Sequence, residues 1–96
     1  MTLPEVIVKI RDDWGKDPYN INNGECEDFA RAVAAQAVLD KVDCLIDWRS
    51  TEYYRNNESL PGHIWLYDRF TKLHHDAECP QGVRNWRRLP IFKGEK

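Results

Sequence analysis

The sequence has no uninterrupted apolar run that approaches the ~20 residues a helix needs to cross a bilayer, so no transmembrane segment is expected. It also lacks charge of one sign. Fourteen Lys and Arg stand against 16 Asp and Glu, for a formal net charge of −2. No global field therefore draws the chain to nucleic acid or to an anionic membrane. Cysteine is scarce and odd in number, three residues at wide spacing, which argues against a disulfide framework and for a reducing compartment, the cytoplasm. The opening MTLPEVIVKIRDDW carries Lys9, Arg11, Asp12 and Asp13, so it is not expected to serve as a signal peptide. Repeats and low-complexity segments are missing too. What remains is 96 residues, 42% of them hydrophobic, with four Trp, four Tyr and three Phe. That is enough for one core and one domain over residues 1–96.

The first element reads as a helix. Thr2 and Glu5 fit a capping box with Pro4 in the first turn, and Leu3, Val6, Ile7, Ile10 and Trp14 recur at helical spacing up to Gly15. Residues 15–24, GKDPYNINNG, read as a loop of breakers. A second, alanine-rich helix is expected over about residues 24–40, with Cys26, Phe29, Ala30, Val33 and Ala37 on its apolar face. Val42, Cys44, Ile46 and Trp48 alternate with polar residues as in a strand. A polar connection over residues 49–62 leads to strands at residues 63–67 and 72–77. The tail holds Pro80, Gly82, a short helix around residues 83–88 and an apolar plug, Leu89-Pro90-Ile91-Phe92.

The two later strands suggest a hairpin closed by a four-residue loop, Asp68-Arg69-Phe70-Thr71. Pairing Tyr67 with Lys72 then sets Trp65 opposite His74 and His63 opposite Asp76, with facing Cβ atoms ~5 Å apart. A carboxylate on one imidazole nitrogen fixes the tautomer and leaves the other nitrogen free to activate a nucleophile. A slip of one residue would send Asp76 to the wrong face. Cys26 is the candidate nucleophile, because a first-turn thiol feels the positive end of the helix dipole. Glu25, Glu27 and Asp28 suit that dipole but oppose a thiolate. For an oxyanion, the Cys26 backbone N–H and Asn20 are the candidate donors, with Asn22 or Asn23 as substitutes.

Gly24-Glu25-Cys26-Glu27-Asp28-Phe29-Ala30 resembles the Gly-x-Cys-x-Asp-Phe-Ala signature of transglutaminase-like cysteine enzymes, and His63-Ile64-Trp65 is similar to their His-x-Trp strand. The order Cys, His, Asp is also that of the wider papain-like superfamily. The resemblance spans roughly residues 20–80. It implies an α+β fold, a minimal papain-like domain with helices packed on a small antiparallel sheet. It implies a thiol nucleophile (Cys26), a base (His63) and an orienting acid (Asp76) that cleave or transfer the amide bonds of a peptide or protein through a thioester, with no cofactor. The chain is short for that family, and Asp76 is followed by Ala77-Glu78-Cys79-Pro80 where the family often has proline directly. The same blocks resemble small proteins of phage genomes, which would place the chain in a host cytoplasm. The alternative is an inactive protein that binds and inhibits a host protein.

Blander readings stand beside these. A lone cysteine on an apolar helix face is usually core, and Cys44 reads simply as a core strand residue. Trp65 shields the His–Asp pair or is ordinary core; His74 shares that face and lines the site, or is merely a strand residue. Cys26, His63, His74 and Cys79 are zinc-ligand types, but their spacing matches no common zinc motif, so no metal is expected. Asp17, Glu25, Glu27, Asp28 and Glu78 gather near the proposed mouth, as a preference for basic substrates or as a solvated helix start. Arg84, Arg87, Arg88, Lys93 and Lys96 make the tail basic around Trp86. The expected role of that tail is a solvated turn docking Trp86 and Leu89, not a nucleic-acid surface.

Overall fold

Thr2 has extended backbone (φ −96°, ψ 165°), and its side chain and that of Glu5 cap each other's backbone N–H, which starts helix α1, Leu3–Trp14. Gly15 ends it at φ 85°, a left-handed conformation that costs glycine little. The computed structural model describes residues 1–54 and 60–93. Where the sequence suggests only a loop, a short helix α2 forms over Pro18–Asn22, because Asp17 caps it and Pro18 occupies its first turn. Helix α3 then runs Cys26–Leu39 and buries Phe29, Ala30, Val33 and Ala37.

The expected strand at residues 42–48 begins later, as β1, Ile46–Ser50. Cys44 lies in the approach to it and is half-buried, so it is not a core strand residue. A short helix α4 (Thr51–Tyr54) follows, and residues 55–59 of the expected polar connection lie outside the described residues. Strands β2 (Ile64–Asp68) and β3 (Leu73–Asp76) form the expected hairpin. A strand that the sequence hides, β4 (Cys79–Val83), adds to it despite Pro80 and Gly82. Pro80 is tolerated because β4 is an edge strand. The tail ends in a 3₁₀ turn, Trp86–Arg88, and helix α5, Pro90–Lys93; Lys96 lies outside the described residues.

The result is an α+β fold in which a four-stranded antiparallel meander, order β1-β2-β3-β4, is covered by helices. Leu3, Val6, Ile7, Ile21, Phe29, Ala30, Val33, Leu66 and Ala77 form the core between the sheet and α1, α2 and α3. Each fully buried aliphatic contributes about 1.5–3 kcal/mol of transfer free energy. On the other face Trp65 is buried and stacks on Trp86 (5.8 Å), with Phe92 edge-on to both. The tail thus docks Trp86 and Leu89 as expected.

The hairpin register differs from the expected one. Asp68 pairs with Leu73, Tyr67 with His74 and Leu66 with His75, so the loop is residues 69–72 and every partner moves by two. The cause is the Asp68 side chain. It is buried and accepts from the N–H groups of Phe70 (3.0 Å) and Leu45 (3.2 Å), which holds Asp68 in the strand and turns the chain after it. Lys72 completes the loop at φ 64°. A shift of two preserves the face of every side chain.

Candidate active site

His63 lies just before β2 and Asp76 ends β3. Both are buried, and His63 Nε2 is 2.9 Å from Asp76 Oδ2. The second carboxylate oxygen, Oδ1, accepts from the Glu78 N–H at 3.0 Å in the tight β3–β4 turn. The acid is therefore oriented by backbone on one side and grips the imidazole on the other.

The other imidazole nitrogen, Nδ1, is buried and has no hydrogen bond of ordinary geometry among the described residues. It is the atom left for the Cys26 thiol, with which the ring interacts. Burial pushes the Cys26 thiol up. The His63 hydrogen bond, the N–H groups of Ile64 and Glu27 and the His63 charge outweigh it, and the net shift is downward. Burial alone would lower His63, but hydrogen bonds to Asp76 and Cys26 and their charges raise it from 6.5 to about 9. The two shifts together favour a thiolate beside an imidazolium.

Trp65 stacks nearly parallel to His63 at 5.6 Å, and Phe92 meets that ring edge-on at 6.0 Å. The His63 side chain is sealed from solvent. Behind this wall the Trp65 indole N–H donates to His74 Nδ1 at 2.8 Å. Burial first, then the Arg49 and His75 charges, lower His74 from 6.5 to about 4, so His74 is neutral and holds Trp65 in place. His75 points to the opposite face, with Nδ1 2.8 Å from the Pro80 carbonyl oxygen.

Glu25 and Glu27, on either side of the thiol, are paired elsewhere. Glu25 accepts from the Trp14 indole N–H at 2.7 Å and from Lys16. Glu27 bonds Arg31 one turn on at 2.6 Å. Asp17 caps α2. Asn20 stands in α2 with its amide nitrogen 3.1 Å from Asp17 Oδ2, and among the described residues it makes no hydrogen bond to Cys26, His63 or Asp76. Asn22 is buried and donates to Glu78 at 3.0 Å, which ties α2 to the turn that orients Asp76. Asn23 bonds back to the Tyr19 carbonyl. No three His, Cys, Asp or Glu side chains among the described residues are arranged to hold a metal ion. Cys79 pairs with Asp76 across the β3–β4 ladder.

The backbone donors at the sulfur, Ile64 and Glu27, carry no sequence signal, because any residue supplies an N–H. The Asn22–Glu78 link is likewise a contact across 56 residues that no local pattern announces. No family model, no curated protein and no solved structure matches the chain.

Proposed function

We propose that the chain is a papain-like or transglutaminase-like thiol enzyme, a hydrolase or acyltransferase acting on amide bonds of a peptide or protein in the cytoplasm. The observation that carries this reading is the buried His63–Asp76 hydrogen bond at 2.9 Å beside a thiol at the start of α3 whose pKa is lowered. In the reaction the Cys26 thiolate attacks the amide carbonyl and a C–S bond forms. The oxyanion is met by the Cys26 N–H, which has no intrahelical partner in the first turn. The C–N bond then breaks as the His63 imidazolium gives its proton to the leaving amine, and Asp76 holds the ring in place. Water or a second amine, deprotonated by His63, attacks the thioester and releases the thiolate. No cofactor enters these steps.

The test is peptide-resolved mass spectrometry of iodoacetamide labelling at neutral pH. Cys26 is expected to label at least about tenfold faster than Cys44 and Cys79, and His63→Ala to remove that excess. Equal labelling of the three cysteines would sink the reading. The runner-up, an inactive phage-type protein that binds and inhibits a host protein through the same groove, draws on two observations. His63 is sealed beneath Phe92, and the Asn20 amide is engaged by Asp17. A fast-labelling Cys26 that gives no burst of p-nitrophenol from p-nitrophenyl acetate would favour this second reading.

A further inference from the structure

A cleft of about 470 Å³ is lined by Glu27, Arg31, Trp48, Arg49, Tyr53 and Ile64. Two lining residues touch the sulfur through their backbone: Glu27 follows Cys26, and both the Glu27 and Ile64 N–H groups reach it. The cleft thus shares two residues with the surroundings of the thiol, and a group seated in it lies next to them. The volume falls within the range of small-ligand pockets.

The walls say what fits. Trp48 is 46% exposed and Tyr53 66%, so two large rings on this cleft have surface open to solvent. The Arg49 guanidinium lies 4.7 Å from the centroids of both Tyr53 and Tyr67, which fixes the Tyr53 ring as a flat surface. The charges at the rim are compensated: Arg31 bonds Glu27 at 2.6 Å and Arg49 pairs with Asp47 at 3.5 Å. With these charges paired and the Tyr53 face already covered by the Arg49 cation, the surface left for recognition is aromatic.

We propose that this cleft binds an uncharged aromatic side chain of the peptide substrate next to the scissile amide, with Trp48 as the main specificity-determining residue and Tyr53 as a second aromatic surface. The proposal deepens the thiol-enzyme reading and rests on it. Ring-on-ring packing prefers offset or edge-on planes, and an exposed Trp and a fixed Tyr supply such surfaces. Glu25 and Glu27 then serve as ion-pair partners of Lys16 and Arg31, not as a preference for basic substrates.

Two measurements test it. In the first, Cys26 is alkylated with N-acetyl-phenylalanyl, glycyl, aspartyl and lysyl vinyl sulfones. The phenylalanyl probe is expected to react at least about tenfold faster than the glycyl one. Trp48→Ala should bring that ratio toward one and Trp48→Phe should retain most of it, while Phe70→Ser, in the hairpin loop, leaves it unchanged. Equal rates, or an aspartyl or lysyl probe reacting fastest, overturn the proposal. The second measurement needs no reactive thiol. N-acetyl-phenylalaninamide titrated into the labelled protein should shift the Trp48 indole and Ile64 amide resonances saturably, and N-acetyl-glycinamide should not. No shift, or the same shift with both, overturns the proposal. If Cys26 shows no excess reactivity toward iodoacetamide, the enzyme reading falls, and the titration still decides whether the cleft takes an aromatic group.

Discussion

His63 and Asp76 share a 2.9 Å hydrogen bond although they are not opposite one another on the β2–β3 ladder. Continuing the observed register sets Trp65 across from Asp76, so His63 reaches the carboxylate on the diagonal. Diagonal pairs stand farther apart than direct ones but remain within reach of long side chains. The diagonal leaves Trp65 beside the pair, stacked on the imidazole at 5.6 Å. The pair is thus dry, and loss of either partner leaves a buried polar group unmatched.

Asp76→Ala is therefore expected to cost about 3–5 kcal/mol in urea unfolding, the range for removing one member of a buried ion pair. Asp76→Asn keeps the volume but not the charge. It should slow iodoacetamide labelling of Cys26 at least about tenfold at pH 7, because His63 loses the partner that raises its pKa. A labelling rate equal to that of the unchanged protein would remove Asp76 from the site.

Stability should peak near pH 6.5. His63 titrates near 9 when folded and near 6.5 when unfolded, so its contribution is complete below about 6.5 and is lost as pH rises through about 9. His74 has the opposite sign. With a folded pKa of about 4 against 6.5, the unfolded chain takes up the proton first, and stability falls as pH drops from 6.5 toward 4. Cys26, lowered from 9, adds stability on the alkaline side and offsets part of the loss from His63. Urea midpoints measured from pH 4 to 9.5 should show both limbs, and His74→Gln should flatten the acid one.

Just past the end of helix α3, Lys41 has φ 54°, and the Val42 N–H bonds the Ala37 carbonyl at 2.9 Å. A left-handed residue at that position is usually glycine. Lys41→Gly is expected to raise stability by about 0.5–1 kcal/mol, since the strain relieved exceeds the extra chain entropy lost. Thermal unfolding gives the sign directly; a lower Tm contradicts the assignment.

Gly82 has φ 87°, and a Cβ there would lie 2.6 Å from Cε1 of His75. That ring cannot yield, because it is buried and held by the Pro80 carbonyl. Gly82→Ala should destabilise by about 1–3 kcal/mol or more, read as a fall in the urea midpoint. An unchanged midpoint would mean that β4 does not pack on His75 as described.

Much of this architecture is written in local pattern. The capping box at Thr2 and Glu5, the apolar period of α1 and the alanine content of α3 put both long helices where they are found. Helix propensity and capping act over a few residues, so sequence displays them. Strand β4 was hidden because Cys79–Val83 contains two breakers and becomes a strand only by pairing with β3. Helix α2 was hidden because a run of Asn and Pro reads as a turn until Asp17 caps it.

For the site, the sequence alone determined the positions of Cys26, His63 and Asp76, through a glycine turn before a helix and two strands of matching parity. It placed both His63 and Asp76 on one face, which survived a register change of two because side chains alternate with a period of two. Only the tertiary structure decided the rest. The buried Asp68 carboxylate chose the register, and Trp65 and Phe92 sealed His63. The Ile64 backbone met the sulfur, and Trp48 and Tyr53 came to line one cleft. These are contacts between segments far apart in the chain, made by burial and by backbone groups that every residue shares, so no local pattern encodes them.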